Sequence, residues 1–224
     1  MASRFPARRP PPILLGAGFA AAAIAAMLLG GLLVDRWLTG FDRAVMLGLR
    51  AWTGPVWLRE AARDLTALGS GTVLTILTIG AAGLLAAMRH SVTALAFVAA
   101  AWSGSLAVSW LKALVGRARP SLVEHWAYVD SASFPSGHAA SSAVIYLTLA
   151  ALGTQVARGQ AARAYLIAAA ILLTGAVGLT RVYLGVHWPS DVLAGWSFGT
   201  LWALGWWRAT AWARGSLGES HRSP

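Results

Sequence analysis

Long apolar segments alternate with short polar stretches along this chain. Six of the apolar segments approach the roughly 20 residues that a helix needs to cross the hydrocarbon core of a bilayer. They lie at residues 13–34, 72–88, 91–114, 139–156, 162–179 and 192–212. This pattern predicts an all-α fold: an integral membrane six-helix bundle with short connecting loops and no separate soluble domain.

The segments outside the predicted spans are short, with one exception. Residues 1–12, with four prolines and three arginines, and residues 213–224 are expected to be cytoplasmic tails. The longest connection, residues 35–71, carries Val45, Leu49 and Trp52 at helical spacing. This stripe predicts a short interfacial helix in the first outer loop. A solvated loop with a chance stripe is the alternative.

The first apolar segment, residues 13–34, follows arginines and could be read as a secretory signal peptide. Its apolar run is longer than the core of a typical signal peptide. We therefore expect it to be a retained first span.

The composition agrees with a membrane protein. Hydrophobic residues make up 57% of the chain, charged residues 12%, and the mean hydropathy is +0.61, values that exclude an ordinary soluble domain. The net charge of +10 would suggest nucleic acid binding in a soluble protein. Here the arginines lie at span ends, where membrane topology and anionic headgroups explain them, so no nucleic acid partner is expected. Because the chain contains no cysteine, disulfides and thiolate metal sites are excluded.

The distribution of arginine predicts the orientation. With the N-terminus in the cytoplasm, nine of the 18 basic residues fall on the inner side, and the other nine belong to the long 35–71 connection or to the charged stretches described next. The connections after the first, third and fifth spans are then extracytoplasmic. The richness in alanine and arginine suggests a bacterium, and hence its cytoplasmic (inner) membrane.

Three charged stretches border the apolar segments, at residues 112–120, 135–138 and 180–191. Span counting places all three on the extracytoplasmic face. Charge close to a bilayer is costly and commonly marks a functional site. Cations suited to holding an oxyanion are Lys112, Arg119 and Arg181; groups that can transfer a proton or attack phosphorus are His138, His187 and Asp191. These residue types together indicate phosphoryl chemistry.

The stretch at residues 135–138 has the pattern of a helix start, because Pro135 and Ser136 suit the first positions and an apolar run follows. Free backbone N–H groups at such a terminus bind phosphate oxygens. Gly137 would allow close approach of the backbone, and His138 would lie beside the bound anion. An ordinary serine-capped span with an interfacial histidine is the alternative.

In the third stretch, His187 and Asp191 are four residues apart. A turn or helix start can bring the carboxylate to one ring nitrogen, which fixes the tautomer and leaves the other nitrogen free to attack. Alternatively, Ser190 or Asp191 only caps the sixth span.

Taken together, the three stretches resemble the motifs of the type 2 phosphatidic acid phosphatase superfamily. These motifs are Lys, six residues and Arg-Pro; Pro-Ser-Gly-His; and Ser-Arg, five residues, His, three residues and Asp. They match at residues 112–120, 135–138 and 180–191, with Thr180 replacing the usual serine. The resemblance covers about residues 70–212 and includes the six-span layout of the family's membrane lipid phosphatases.

The resemblance implies a role for each site residue. His187, oriented by Asp191, would attack phosphorus and form a phosphohistidine, and His138 would protonate the leaving group and then activate water. The phosphoryl oxygens would be bound by Lys112, Arg119, Ser136, Gly137 and Arg181. No metal and no cofactor are expected.

The implied function is hydrolysis of a lipid phosphomonoester or pyrophosphate, of the phosphatidate, phosphatidylglycerol phosphate or undecaprenyl pyrophosphate type, at the extracytoplasmic face. The partners are then the lipid phosphate substrate and the bilayer, and no feature indicates an oligomeric state. A lipid phosphotransferase, and a non-catalytic lipid-binding or transport protein, are the alternatives.

Overall fold

The computed structural model describes residues 38–220, together with residues 25 and 29–31, and its side chains are described as far as residue 213. The regular structure of these residues is helical, and no strand occurs among them. The helices are α1 Thr39–Trp52, α2 Val56–Ala67, α3 Gly71–Ala87, α4 Ser91–Val115, α5 Gly137–Val156, α6 Gln160–Tyr183 and α7 Pro189–Ser220.

The last five helices overlie the last five predicted spans. α4, α5 and α6 are each long and apolar enough to cross a membrane, and α2 with α3, bent by 47° at their junction, could form a fourth span. The first predicted span, residues 13–34, lies mostly outside the described residues. The all-α class is confirmed, whereas the count of six spans stays a prediction.

The 35–71 connection contains two helices, α1 and α2, where one short helix was expected. The chain breaks between them at Thr53 and Gly54, which both have positive φ, before Pro55. Val45 and Leu49 of the predicted stripe pack against buried residues of α5, α6 and α7, whereas Trp52 is 61% exposed. The stripe is therefore in large part a packing face, and a position at the membrane surface stays a prediction.

At its C-terminal end the chain remains helical beyond the predicted boundary. α7 begins at Pro189 and continues to Ser220, past residue 212 where the last span was predicted to end. Proline suits this first helical position, because its missing N–H would have no acceptor there.

Close contact between α5 and α7 positions the start of α5. A Cβ added at Gly199 would clash with Ala143, and one added at Gly195 would lie 2.9 Å from the backbone nitrogen of Ala140. Two small residues four positions apart allow helix backbones to approach closely. The residues 135–138 are therefore held against the first turns of α7.

The apolar core ends directly below the charged residues. Four large side chains of this core are fully buried: Phe97 and Leu111 of α4, Phe198 of α7, and Phe134 of the loop before α5. Leu111 immediately precedes Lys112, and Phe134 comes two residues before Ser136. α4 then ends at Gly116, whose φ of 60° turns the chain into the loop of residues 117–136.

Candidate active site

The predicted site residues meet at one end of the helix bundle. Lys112 lies in the last turn of α4 and Arg181 in the last turn of α6. His138 lies in the first turn of α5. Its ring is near enough to interact electrostatically with four other site residues, which are Arg181, His187, Lys112 and Arg119. All three charged stretches thus contribute to one constellation.

His187 is buried in the turn between α6 and α7, with 2% of its surface exposed. Its Nδ1 lies 3.4 Å from Oδ2 of Asp191, and its Nε2 lies 3.2 Å from Nη1 of Arg119. A guanidinium can only donate hydrogen bonds, so Nε2 must be the acceptor and Nδ1 carries the proton. The tautomer leaves a lone pair on Nε2.

The surroundings also keep the imidazole uncharged. Burial lowers the pKa of His187 to about 4, with Arg119 and Arg181 acting in the same direction and Asp191 acting against them. At neutral pH the ring is therefore neutral and can act as a nucleophile.

Asp191 is fully buried in the first turn of α7, and both of its oxygens are used. Oδ2, which faces His187, accepts hydrogen bonds from the hydroxyl of Ser133 at 2.5 Å and from the backbone N–H of Trp188 at 3.0 Å. Oδ1 accepts from Nη1 of Arg117 at 2.5 Å. These contacts fix the plane of the carboxylate.

The three predicted cations lie around His138 and His187 and are held by neutral oxygens. Nζ of Lys112 donates to the carbonyl of Ala132 at 2.5 Å. Arg119 donates from Nη1 to the carbonyl of Val186 at 2.7 Å and from Nε to that of Ser131 at 2.7 Å. Burial lowers the pKa of Arg119, but a guanidinium stays charged.

Arg181 and Ser136 each present a buried polar atom that lacks a partner among the described residues. Nη1 of Arg181 donates to the hydroxyl of Thr66 at 3.1 Å, whereas its Nε makes no hydrogen bond. The hydroxyl of Ser136 is likewise unpartnered in a fully buried side chain. Buried polar groups are nearly always hydrogen-bonded, so such atoms call for an explanation.

The start of α5 differs in detail from the expected set of free amides. The N–H of Ser136 donates to the backbone carbonyl of Asp191 at 3.0 Å, so only its side chain is available to a ligand. Gly137 occupies the first helical position, whose N–H has no acceptor within the helix. A Cβ at Gly137 would lie 3.3 Å from Cε of Lys112, so glycine keeps this surface open.

Thr180, the departure from the family motif, directs its hydroxyl away from the other site groups. The hydroxyl donates to the carbonyl of Val177 at 2.6 Å within α6. The hydroxyl that threonine shares with serine is therefore hydrogen-bonded to the backbone of its own helix.

Sequence reasoning missed several residues that support the site. Arg117 lies within the first charged stretch but received no role. Asp42 had no role either, although it shares a face of α1 with the buried Met46. A carboxylate on an apolar helix face indicates a buried cationic partner, which is the signal that could have found it. The others are Ser133, Thr66 and Ser190, the last of which the sequence suggested only as a helix cap.

No group of three or more His, Cys, Asp and Glu side chains that could hold a metal ion occurs within the described residues.

Comparison with known proteins agrees with the motifs. The model of a family described as the PAP2 superfamily matches residues 91–214. Phosphatidylglycerophosphatase B of Bacillus subtilis strain 168 is 32% identical over 149 residues, which cover 65% of this chain and 71% of that protein. A lipid A 1-phosphatase of Rhizobium etli is 33% identical over 174 residues, covering 67% of this chain and 70% of that protein.

Two solved structures share the fold. The PAP2-type phosphatidylglycerolphosphate phosphatase of Bacillus subtilis superposes with a TM-score of 0.73 at 24% identity, over 92% of this chain and 98% of that one. LpxE of Aquifex aeolicus superposes with a TM-score of 0.56 at 24% identity, over 74% of this chain and 91% of that one.

Proposed function

This chain belongs to the PAP2 superfamily, and on that premise we propose that it is a membrane phosphatase that hydrolyses a lipid phosphomonoester or pyrophosphate through a phosphohistidine. The observation that carries the proposal is the state of His187. The ring is buried, neutral, and held with its Nε2 lone pair directed into a group of cations. A histidine in this state is suited to attack an electrophile that carries negative charge.

Phosphate fits the unpartnered atoms of the site. Oxygens of a phosphoryl group could accept hydrogen bonds from Nε of Arg181 and from the hydroxyl of Ser136, both of which are buried without a partner. Leaving such atoms unpaired costs about 1–3 kcal/mol each, which a bound anion would recover. The three cations exceed the charge of about −1.5 to −2 on a phosphomonoester, so the surplus favours charge that develops on the oxygens in the transition state.

In the first step the phosphoryl group would displace the contact between Nε2 of His187 and Arg119. Nε2 forms a bond to phosphorus while the bond from phosphorus to the lipid oxygen breaks, and Arg119 binds a phosphoryl oxygen. The leaving alkoxide takes a proton from His138. Asp191 stabilises the positive charge that develops on the imidazole through the Nδ1 proton.

In the second step His138, now neutral, takes a proton from a water molecule that attacks the phosphohistidine. The bond between phosphorus and Nε2 breaks, and inorganic phosphate leaves. No step requires a metal ion, because Lys112, Arg119 and Arg181 supply the positive charge that a divalent ion would contribute.

The proposed substrates share a phosphate on a membrane-anchored tail. The names of the relatives point to phosphatidylglycerol phosphate and to the 1-phosphate of lipid A, and phosphatidate and undecaprenyl pyrophosphate offer the same headgroup chemistry. We propose that the site opens at the extracytoplasmic face of a bacterial inner membrane, as the arginine distribution predicts.

The test is release of phosphate from these lipids by the purified protein in detergent, with no alcohol acceptor present. We expect release from at least one lipid, unchanged by EDTA and blocked by vanadate. His187→Ala should abolish it, whereas His90→Ala, at the opposite end of α4, should not. Release by His187→Ala at the wild-type rate would refute the mechanism. Dependence on an added alcohol would indicate a phosphotransferase, and loss of activity with EDTA would refute the metal-free scheme.

A further inference from the structure

A buried carboxylate on α1 reaches the same end of the bundle as the candidate active site. Asp42 is 0% exposed and accepts three hydrogen bonds. Its Oδ1 accepts from the backbone N–H of Ser190 at 2.9 Å, and its Oδ2 accepts from the hydroxyl of Ser190 at 2.5 Å and from Nη2 of Arg117 at 2.9 Å. Every one of these donors belongs to the loop after α4 or to the first turn of α7.

Arg117 connects Asp42 to the site. While Nη2 binds Asp42, Nη1 donates to Oδ1 of Asp191 at 2.5 Å and to the hydroxyl of Ser190 at 2.8 Å. The guanidinium thus bridges two carboxylates inside the protein, with 4% of its side chain exposed. Because the guanidinium is planar and rigid, its position on Asp42 determines the direction from which it approaches Asp191.

This bridge acts on the oxygen of Asp191 that does not face His187. Rotation of the Asp191 carboxylate would move Oδ1 away from Arg117 and Oδ2 away from His187 at the same time. Fixing Oδ1 therefore fixes the hydrogen bond that orients the imidazole. The contact of Asp42 with the N–H of Ser190 also holds the residue next to Asp191 in place.

We propose that Asp42 is a positioning residue of the active site, which orients Asp191, and through it His187, by way of Arg117 and Ser190. This inference rests on the proposed function, since it concerns the nucleophile of that reaction. If Asp42 had only a structural role, its substitution would lower the stability of the protein without acting through Asp191. The two roles differ in a double-mutant cycle.

The test compares four proteins by steady-state release of ³²P-phosphate over a range of labelled-lipid concentrations: wild type, Asp42→Asn, Asp191→Asn and the double variant. Asparagine keeps the shape of Asp42 and an acceptor for Ser190 but loses the charge that holds Arg117. We expect Asp42→Asn to lower kcat about 10- to 100-fold, with KM changed less than about threefold. The exposed carboxylate of Asp64 on α2 provides the control, and Asp64→Asn should match wild type.

In the Asp191→Asn background, Asp42→Asn should change the rate by less than about twofold, because its route of action is already broken. An equal loss in both backgrounds, or no loss in the single variant, would overturn the inference. If Asp42→Asn fails to fold, Ser190→Ala takes its place in the cycle. We expect a smaller loss, about three- to tenfold, and the same lack of additivity, and an additive loss would overturn the inference.

The proposed function is judged separately, by wild type against His187→Ala. If wild type releases phosphate and His187→Ala does not, the function stands and the cycle tests Asp42 alone. If wild type releases none from any lipid, the proposed function fails and the inference falls with it.

Discussion

The turn between α6 and α7 and the first turn of α5 each bring one histidine to the site, but they hold it differently. His187 is 2% exposed, with polar groups at 3.4 Å from one ring nitrogen and 3.2 Å from the other. His138 is only half-buried. The turn between α2 and α3 approaches it at Gly69, where a Cβ would lie 3.3 Å from Cδ2 of the ring.

The difference matches the two tasks that we propose. A nucleophile must keep one lone pair in line with phosphorus, so rigid burial of His187 benefits the reaction. A general acid that later acts as a base must exchange its proton with a leaving group and with water in every turnover, so His138 needs access. If the two histidines divide the work in this way, substitutions in the two turns should have different effects on the reaction.

The largest expected effect separates the two histidines directly. His187→Ala should lower lipid phosphate release by at least about 10⁴-fold and should form no phosphoenzyme. His138→Ala should lose about 10²- to 10⁴-fold on lipid, and less in the phosphorylation step with p-nitrophenyl phosphate, whose leaving group needs no proton. Labelling with a ³²P-phosphorylated substrate, quenched in alkali, would measure the phosphoenzyme, because a phosphohistidine is stable in alkali and hydrolyses in acid.

In His138→Ala the phosphohistidine should accumulate, because its hydrolysis lacks a base. A phosphoenzyme in His187→Ala, together with none in His138→Ala, would reverse the assigned roles.

Much of this comparison could be predicted from the sequence, because the relevant signals are local. Apolar runs predicted five helices that the structure contains, and three motifs predicted which residues gather at one end. Within the third motif, the spacing of four between His187 and Asp191 is enough to predict their contact.

The supporting residues could not be predicted in the same way, because their contacts are distant in the chain. Asp42 and Arg117 are separated by 75 positions, and Asp42 and Ser190 by 148. Such contacts depend on how α1 docks on the bundle, and its apolar stripe fits a membrane surface as well as a protein surface. The stripe alone therefore did not indicate that Asp42 is buried.

The second prediction concerns the orientation of His187. In Asp191→Asn an amide can present its NH₂ group to the ring and favour the tautomer with the proton on Nε2, which removes the attacking lone pair. We expect formation of the phosphohistidine to slow about 10²- to 10⁴-fold, measured by rapid quench in alkali, in which a phosphohistidine is stable. The exposed residue Asp64 on α2 is a matched control, and Asp64→Asn should stay within about threefold of wild type.

A rate for Asp191→Asn within threefold of wild type would show that the turn holds His187 without this carboxylate. The contrast between the two histidines would then lose its physical basis.

The third prediction tests the start of α5 as a phosphate-binding element. The hydroxyl of Ser136 is buried without a partner, so Ser136→Ala should leave the thermal unfolding temperature unchanged or raise it slightly. Vanadate affinity should fall about tenfold, since one hydrogen bond to a charged group is lost. Ser142→Ala, which removes a buried hydroxyl already bonded to Ala139, should leave vanadate affinity unchanged.

A loss of stability in Ser136→Ala without any change in vanadate affinity would contradict this assignment. The start of α5 would then supply only His138 to the site.

The smallest expected effect is in the pH dependence. Burial lowers the pKa of His187 from an ordinary value near 6.5 to about 4, so the ring stays neutral as the pH falls from 7 to 5. With p-nitrophenyl phosphate, whose leaving group needs no proton from His138, kcat/KM corrected for titration of the substrate should therefore change less than about threefold over this interval and should fall only as the pH nears 4. In Arg119→Gln, which removes one of the charges that lower this pKa, the acid limb should move to higher pH. A wild-type acid limb at pH 6.5 would mean that the turn leaves His187 in an ordinary aqueous environment, which its 2% exposure argues against.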